Sequence, residues 1–216
     1  MSEIEHPFDA ETWEQLPAFF ENLPEPVQLT VWGDETAGGN EREAARLCRA
    51  LADRFEQISW RMLPRRVNYP YYPVIGVMGR SGDEETDYGV RIIGLPAGYQ
   101  LTSLITAVQA VSFHGQTLEP LTRIKLRQLP APVNLEVVTA ADNEAGALVA
   151  KIAFGMAVNS PLVRAFLIMG DLFNEVVLRY SINYLPHTII NGRIHLEGVV
   201  DEETMLKHIA KAVRPG

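Results

Sequence analysis

The chain has 216 residues, 47% of them hydrophobic, with a net charge of −8 and a pI near 5.2. That length suffices for one large or two small globular units with buried cores, and the acidic balance argues against binding nucleic acid or an anionic membrane surface, both of which select basic patches. No apolar run approaches a membrane span, and the acidic Met1 to Asp9 stretch lacks the basic and apolar regions of a signal peptide, so a cytoplasmic protein is expected.

Asp9 to Leu23 places Trp13, Leu16, Phe19 and Phe20 at helical spacing, with Pro17 either kinking or splitting the helix. Val27 to Trp32 reads as a strand. The Gly33 to Asn40 stretch is polar and glycine-rich, but lacks the Lys-Ser/Thr of a phosphate loop and the Gly-x-Gly-x-x-Gly of a dinucleotide turn, so it reads as a plain loop. A helix follows from Glu41 to Phe55, then a strand from Ile58 to Leu63. Pro64 to Tyr72 is a basic and aromatic connection. Arg61, Arg65 and Arg66, interleaved with Trp60, Tyr69, Tyr71 and Tyr72, are read as edge packing and solvation ahead of a site for an anionic or peptide partner.

Pro73 then enters a strand that pairs, through a polar turn, with Val90 to Ile93. After Gly94 to Gly98, the apolar Leu101, Leu104, Ile105, Val108 and Val111 mark a helix that closes the first unit. Leu118 to Leu129 reads as a bridging helix with Lys125 and Arg127 on a solvated face. Val133 to Thr139 is a strand, and Ala140 to Glu144 leads into a helix reaching Val158. Arg164 to Met169 is the next strand and Leu172 to Ile182 the next helix. Leu185-Pro186 enters a further strand, Asn191-Gly192 turns it in a hairpin, and Asp201-Glu202-Glu203 opens a last helix ending near Val213.

The same order occurs twice: strand, helix, strand, connection, a hairpin entered through proline, and a closing helix. Its period is too long for a solenoid module, so each copy is a domain-sized unit. A β-α-β crossover plus an antiparallel hairpin gives a mixed sheet with helices on its faces. The expected fold class is α/β, with two tandem thioredoxin-like (glutaredoxin-like) units, each a mixed sheet flanked by helices. The expected organisation is an N-terminal helical segment over 1–25, a first unit over 26–115, a bridging helix over 116–131 and a second unit over 132–216.

Asp87 to Gln100, together with Leu185-Pro186 and Ile190-Asn191-Gly192, resembles the tandem-thioredoxin-fold protein disulfide oxidoreductases and equally the N-terminal domain of the flavoprotein subunit of alkyl hydroperoxide reductase. The resemblance covers roughly Pro26 to Val213. It implies a redox Cys-x-x-Cys at the start of the first helix of the second unit, where a helix N-terminus lowers the thiolate pKa. Here that stretch falls within Asp142 to Gly146, and the first-unit counterpart within Thr36 to Glu41. Neither contains cysteine.

The single cysteine, Cys48, excludes an intrachain disulfide. Ala44, Leu47, Cys48 and Leu51 fall at i, i+3, i+4 and i+7, which puts the thiol on an apolar helix face, without a resolving partner. Asp142 reads as a helix cap; as a general base it has no nucleophile or orienting group nearby in sequence. His6, His114, His187, His195 and His208 show no metal-ligand spacing, although His187 and His195 should be neighbours across the last hairpin. No metal or cofactor is expected.

The leading expectation is therefore a redox-inactive thioredoxin-fold protein that binds a protein or peptide partner, with neither nucleic acid nor membrane involved and self-association left open. In the family the residue before the cis-proline pairs its backbone with an extended peptide, which needs no thiol. By that resemblance the binding residues are Tyr72, Pro73, Leu185 and Pro186, bordered in the second unit by Asp142 and Asn143. The alternatives are a thiol-disulfide oxidoreductase using Cys48 with an external thiol, and a structural or assembly subunit. A glutathione-transferase-like reading is weaker, because the second unit repeats strands instead of turning all-helical.

Overall fold

A computed structural model of the chain describes residues 7–82 and 84–213; the Met1 to His6 part of the N-terminal stretch, including His6, lies outside them. Asp9 opens the first helix by accepting the Thr12 amide at 2.8 Å. Pro17 splits the helix expected over Asp9 to Leu23 into α1 (Ala10–Gln15) and α2 (Pro17–Phe20). Without an N–H, proline cannot sustain the helix ladder but suits a first turn, which is where it sits in α2.

The following elements are β1 (Val27–Trp32), α3 (Gly39–Arg54), β2 (Ile58–Leu63), β3 (Val74–Ser81), β4 (Glu84–Ile93), α4 (Gln100–Ser112) and α5 (Pro120–Leu126). After them come β5 (Val133–Thr139), α6 (Glu144–Asn159), β6 (Val163–Met169), α7 (Asn174–Arg179), β7 (His187–Ile190), β8 (Ile194–Glu197) and α8 (Glu202–Ala212). The strands form one eight-stranded sheet in the order β2-β1-β3-β4-β6-β5-β7-β8. Each half has a parallel pair, β1 with β2 and β5 with β6, and an antiparallel hairpin, β3 with β4 and β7 with β8. The halves join where β4 runs parallel to β6, with Val90 opposite Ala165 and Ile93 opposite Ile168. This is the expected pair of mixed-sheet units, fused into a continuous sheet.

Alternation along the strands divides the apolar side chains between two faces. Leu29, Val31, Val77, Ile92, Leu135, Val137 and Leu167 point to one face and pack with buried side chains of α3, α4, α6 and α8. On the other face, Trp32, Val74, Met78, Ile93, Val138, Ile168 and Ile189 lie beneath the 64–72 connection and α7. Each fully buried Leu or Val contributes about 1.5–3 kcal/mol relative to exposure. The α4 and α6 helices pack against each other. A Cβ at Gly155 of α6 would lie 2.8 Å from Leu118, so the stretch before α5 closes tightly over α6.

Three elements depart from the sequence reading. β4 begins at Glu84, six residues ahead of Val90, because the hairpin overhangs the neighbouring strands; its tip is exposed and so reads as polar. α7 covers only Asn174–Arg179 of the expected Leu172 to Ile182. The Leu172 and Phe173 amides turn back to the Met169 carbonyl, and Ser181 at φ 52° ends the helix. α5 is shorter than the expected bridging helix and lies against α6 and α8, burying Thr122 and Leu126. The last hairpin turns through Asn191 and Gly192, both at positive φ, as Asn-Gly favours.

Candidate functional site

Both expected proline entries are cis, at Tyr72-Pro73 and Leu185-Pro186. The two are used alike: the Pro73 carbonyl accepts the Gly94 amide and the Pro186 carbonyl the Gly198 amide, each at 2.8 Å. Among the described residues, no hydrogen bond engages the main chain of Tyr72 or of Leu185. In the second unit β7 pairs with β5, His187 opposite Val138. Continuing that register places Pro186 beside Thr139, and Leu185 beside the turn that begins at Ala140. Pro186 is buried and Leu185 half-buried.

The Ala140 to Asn143 turn is held from three sides. Gln100 donates through Nε2 to the carbonyls of Ala140 (3.0 Å) and Asn143 (2.7 Å). Tyr99 donates its amide to the Ala141 carbonyl at 2.9 Å, and the Ala141 amide donates to Asp171 Oδ2 at 3.1 Å. The helix cap is Asn143, whose Oδ1 accepts the Gly146 amide at 2.8 Å. Asp142, read from sequence as the cap, stands one residue earlier and is exposed. Either residue type caps a helix, so composition could not choose between them. Tyr99, Leu172, Tyr184 and Val199, exposed apolar or aromatic side chains, come from segments bonded to this turn or flanking Leu185-Pro186. A hollow of about 740 Å³ between α1, α2 and α4 ends on Ala141 and Asp142.

The corresponding place in the first unit carries an ion pair. Glu41, in the first turn of α3 and 7% exposed, accepts the Asp34 amide at 2.6 Å and pairs with Arg65. The Arg65 guanidinium lies 5.5 Å from the centre of the Tyr72 ring, and Tyr72 donates its hydroxyl to the Arg66 carbonyl. Hydrogen bonding to Glu41 raises the Arg65 pKa. Thus an ion pair stands beside Tyr72, whereas the segments next to Leu185 carry exposed apolar groups; Tyr72 and Leu185 are themselves both half-buried, and Pro73 and Pro186 both buried.

The remaining basic and aromatic residues of the Trp60 to Tyr72 region are partnered within the chain. Arg61 pairs with Glu85 at 2.7 Å, Arg66 lies 4.7 Å over Trp32, and Tyr71 stacks on Phe173 at 4.7 Å. Tyr69 accepts a hydrogen bond from Arg91 Nε at 2.9 Å. The sequence reading missed Arg91 itself, which is 6% exposed on a strand and pairs with Asp87 at 2.5 Å. Residues four apart on a straight strand are about 13 Å apart. Gly89, between the two at φ 76°, bends the chain and brings them together. Burial works to raise the Asp87 carboxyl pKa, but the hydrogen bonds and charge of Arg91 outweigh it and hold it below the usual range.

Cys48 is fully buried in α3, and loss of hydration pushes its thiol pKa far up. His187 and His195 do meet across the hairpin, Nε2 to Nδ1 at 2.9 Å. His114 lies 3.3 Å from the Tyr88 hydroxyl and His208 2.8 Å from the Thr204 carbonyl. Among the described residues, no three His, Cys, Asp or Glu side chains converge to hold a metal, and no helix is long and apolar enough to cross a membrane.

No family model matches the sequence. The alkyl hydroperoxide reductase component AhpF of Pseudomonas aeruginosa is 24% identical to it over 201 residues, which are 93% of this chain and 37% of that protein. AhpF of Pseudomonas putida is 25% identical over the same shares, so the chain spans about 37% of the length of these curated relatives. The N-terminal N/C domain of AhpF from Enterococcus faecalis superposes with a TM-score of 0.84 at 21% identity, over 94% of this chain and all of that one. A protein disulfide oxidoreductase from Aeropyrum pernix gives 0.83 at 17% identity, over 95% and 93% of the two chains. The chain therefore has the tandem thioredoxin fold, and with one cysteine it has no Cys-x-x-Cys.

Proposed function

We propose that this chain is a redox-inactive thioredoxin-fold binding protein that receives an extended protein or peptide segment along Leu185-Pro186. The observation that carries this reading is the unengaged main chain of Leu185 beside a cis-proline, at a rim carrying Tyr99, Leu172, Tyr184 and Val199 and no thiol. A peptide laid there gains main-chain hydrogen bonds from Leu185 and side-chain contacts from the rim. Asn143 shapes the edge by capping α6, and exposed Asp142 favours a partner with a cationic group near that end. Tyr72 and Pro73 would make the lesser counterpart. The thiol reading has buried Cys48 against it: a thiol without access or resolving partner neither attacks nor exchanges.

The test is selection of linear peptides from a random library, followed by amide chemical-shift mapping on the isotopically labelled protein. Binders should shift the Leu185 and Gly198 amides, and Tyr184→Asp and Val199→Asp should each weaken them by about tenfold, the loss of one well-packed apolar contact. Binders that leave Leu185 and Gly198 unmoved would remove the proposal.

A further inference from the structure

On the sheet face opposite α4 and α6, a cleft of about 370 Å³ opens over β4, β6 and the first half of β5, between the 66–71 connection and α7. The lining reaches Ile168, opposite Val138, but includes neither Leu185 nor Pro186 nor any residue of the Ala140 to Asn143 turn, so the cleft and the Leu185 edge are lined by different residues. Its volume is at the small-molecule end of ligand sites.

The charges in this cleft run against the acidic chain. Four arginines and two carboxylates line it. Asp87 is already engaged by Arg91, and Glu136 lies near Tyr180, whose phenol pKa is raised by burial and then by that negative charge. Arg66, Arg164 and Arg179 have no carboxylate within ion-pairing distance among the described residues, although the chain carries 27 acidic residues against 19 basic ones. Flat side chains supply the walls. Tyr69 is held by Arg91, Tyr71 is stacked on Phe173, and Phe166 and Tyr180 complete the set. The roof is also braced, because the Arg66 carbonyl accepts both the Tyr69 amide, at 3.3 Å, and the Tyr72 hydroxyl. Guanidinium groups without a carboxylate partner, in one cleft with aromatic side chains, match a ligand with a planar body and one anionic group, since arginine forks onto carboxylate or phosphate and rings stack on rings.

We infer that this cleft is a binding site for a small aromatic anion, with the phosphate or carboxylate held by Arg164 and Arg179 and the ring seated against Tyr69, Tyr71 and Phe166. Arg66, held over Trp32, also lines the cleft and adds to its positive charge.

The experiment titrates phenyl phosphate, benzoate, inorganic phosphate and the neutral analogue benzyl alcohol into the full chain, following the Phe166 and Gly89 amides and the Trp32 indole N–H. Saturable shifts are expected with phenyl phosphate or benzoate, at least about tenfold tighter than with inorganic phosphate or benzyl alcohol. The tighter of the two aromatic anions identifies which acid group the site takes. Arg164→Glu and Arg179→Glu, both at exposed positions, should each weaken that binding by about tenfold or more. Should either reversal unfold the chain, Arg164→Gln and Arg179→Gln carry the same test. Equal binding of the neutral analogue, no saturable shift with any probe, or affinity indifferent to both arginines would each overturn the inference. Because the readout excludes Leu185 and Gly198, its failure is distinct from failure of the peptide edge.

Discussion

The amide of Tyr99 donates to the carbonyl of Ala141 at 2.9 Å, tying the start of α4 in the first unit to the turn before α6 in the second. Gln100 reinforces the tie from the next residue. The turn that borders the Leu185 edge is thus braced by the other unit, so its shape depends on both halves of the sheet being in register.

Gly98 makes that approach feasible. It has φ 56°, and a Cβ there would lie 2.5 Å from the Ala141 carbonyl oxygen. Gly192 has a similar φ of 65° but open space around it. Gly192→Ala should therefore cost only the left-handed backbone penalty, about 1–2 kcal/mol, and Gly98→Ala at least about 1 kcal/mol more. Denaturant unfolding of the two variants checks the difference, and hydrogen exchange at Tyr99 should accelerate only in Gly98→Ala. Equal costs would show that the turn yields freely.

Glu41 anchors Arg65 beside Tyr72. Glu41→Ala leaves the Asp34 amide without its acceptor and releases Arg65 from Tyr72, so the chain should lose about 1.5–3 kcal/mol, the range for a hydrogen bond to a charged group. Glu41→Gln retains an acceptor and should lose less. Urea midpoints read the stability, and Tyr72 ring shifts read the release. An unmoved Tyr72 in Glu41→Ala would mean that the ion pair does not hold Tyr72 in place.

Cys48 should be silent in the native state. At 0% exposure, a bulky thiol reagent reaches it only when α3 opens, so labelling should proceed at the opening rate in buffer and at once in denaturant. Fast native labelling would contradict its burial and revive the thiol-based alternative.

His187 sets a pH limit on the second hairpin. Burial, then the neighbouring His195, lowers its pKa below 6.5, while Glu197 opposes the shift. The unfolded chain therefore binds the proton more readily. The corresponding stability is present above pH 6.5 and declines as pH falls through that value toward the lowered folded-state pKa. Urea midpoints measured from about pH 7.5 to 5 should fall in the parent and fall less in His187→Gln. Parallel slopes would assign the pH dependence to other groups.

Some of this was written locally. The doubled order of strands, helices and proline entries came from period, proline position and Asn-Gly, because the chain reports its own turns and its own buried face over a few residues. Cys48 was placed by the same logic, since i, i+3, i+4 and i+7 fix one side of a helix. So was the absence of Cys-x-x-Cys, because a dithiol cannot be built from one cysteine. Tertiary structure decided what depends on segments far apart in sequence. The parallel join of β4 to β6 merges the units, and no local pattern names a strand's neighbour. Arg91 and Asp87 meet across an irregularity of the β3–β4 ladder where Gly89 has φ 76°, and the Glu41–Arg65 pair needs Arg65 to return from the far end of a β-α-β crossover. What surrounds the two cis-proline edges, an ion pair beside Tyr72 and exposed apolar groups on the segments flanking Leu185, is therefore a property of the folded sheet, because those side chains come from distant segments.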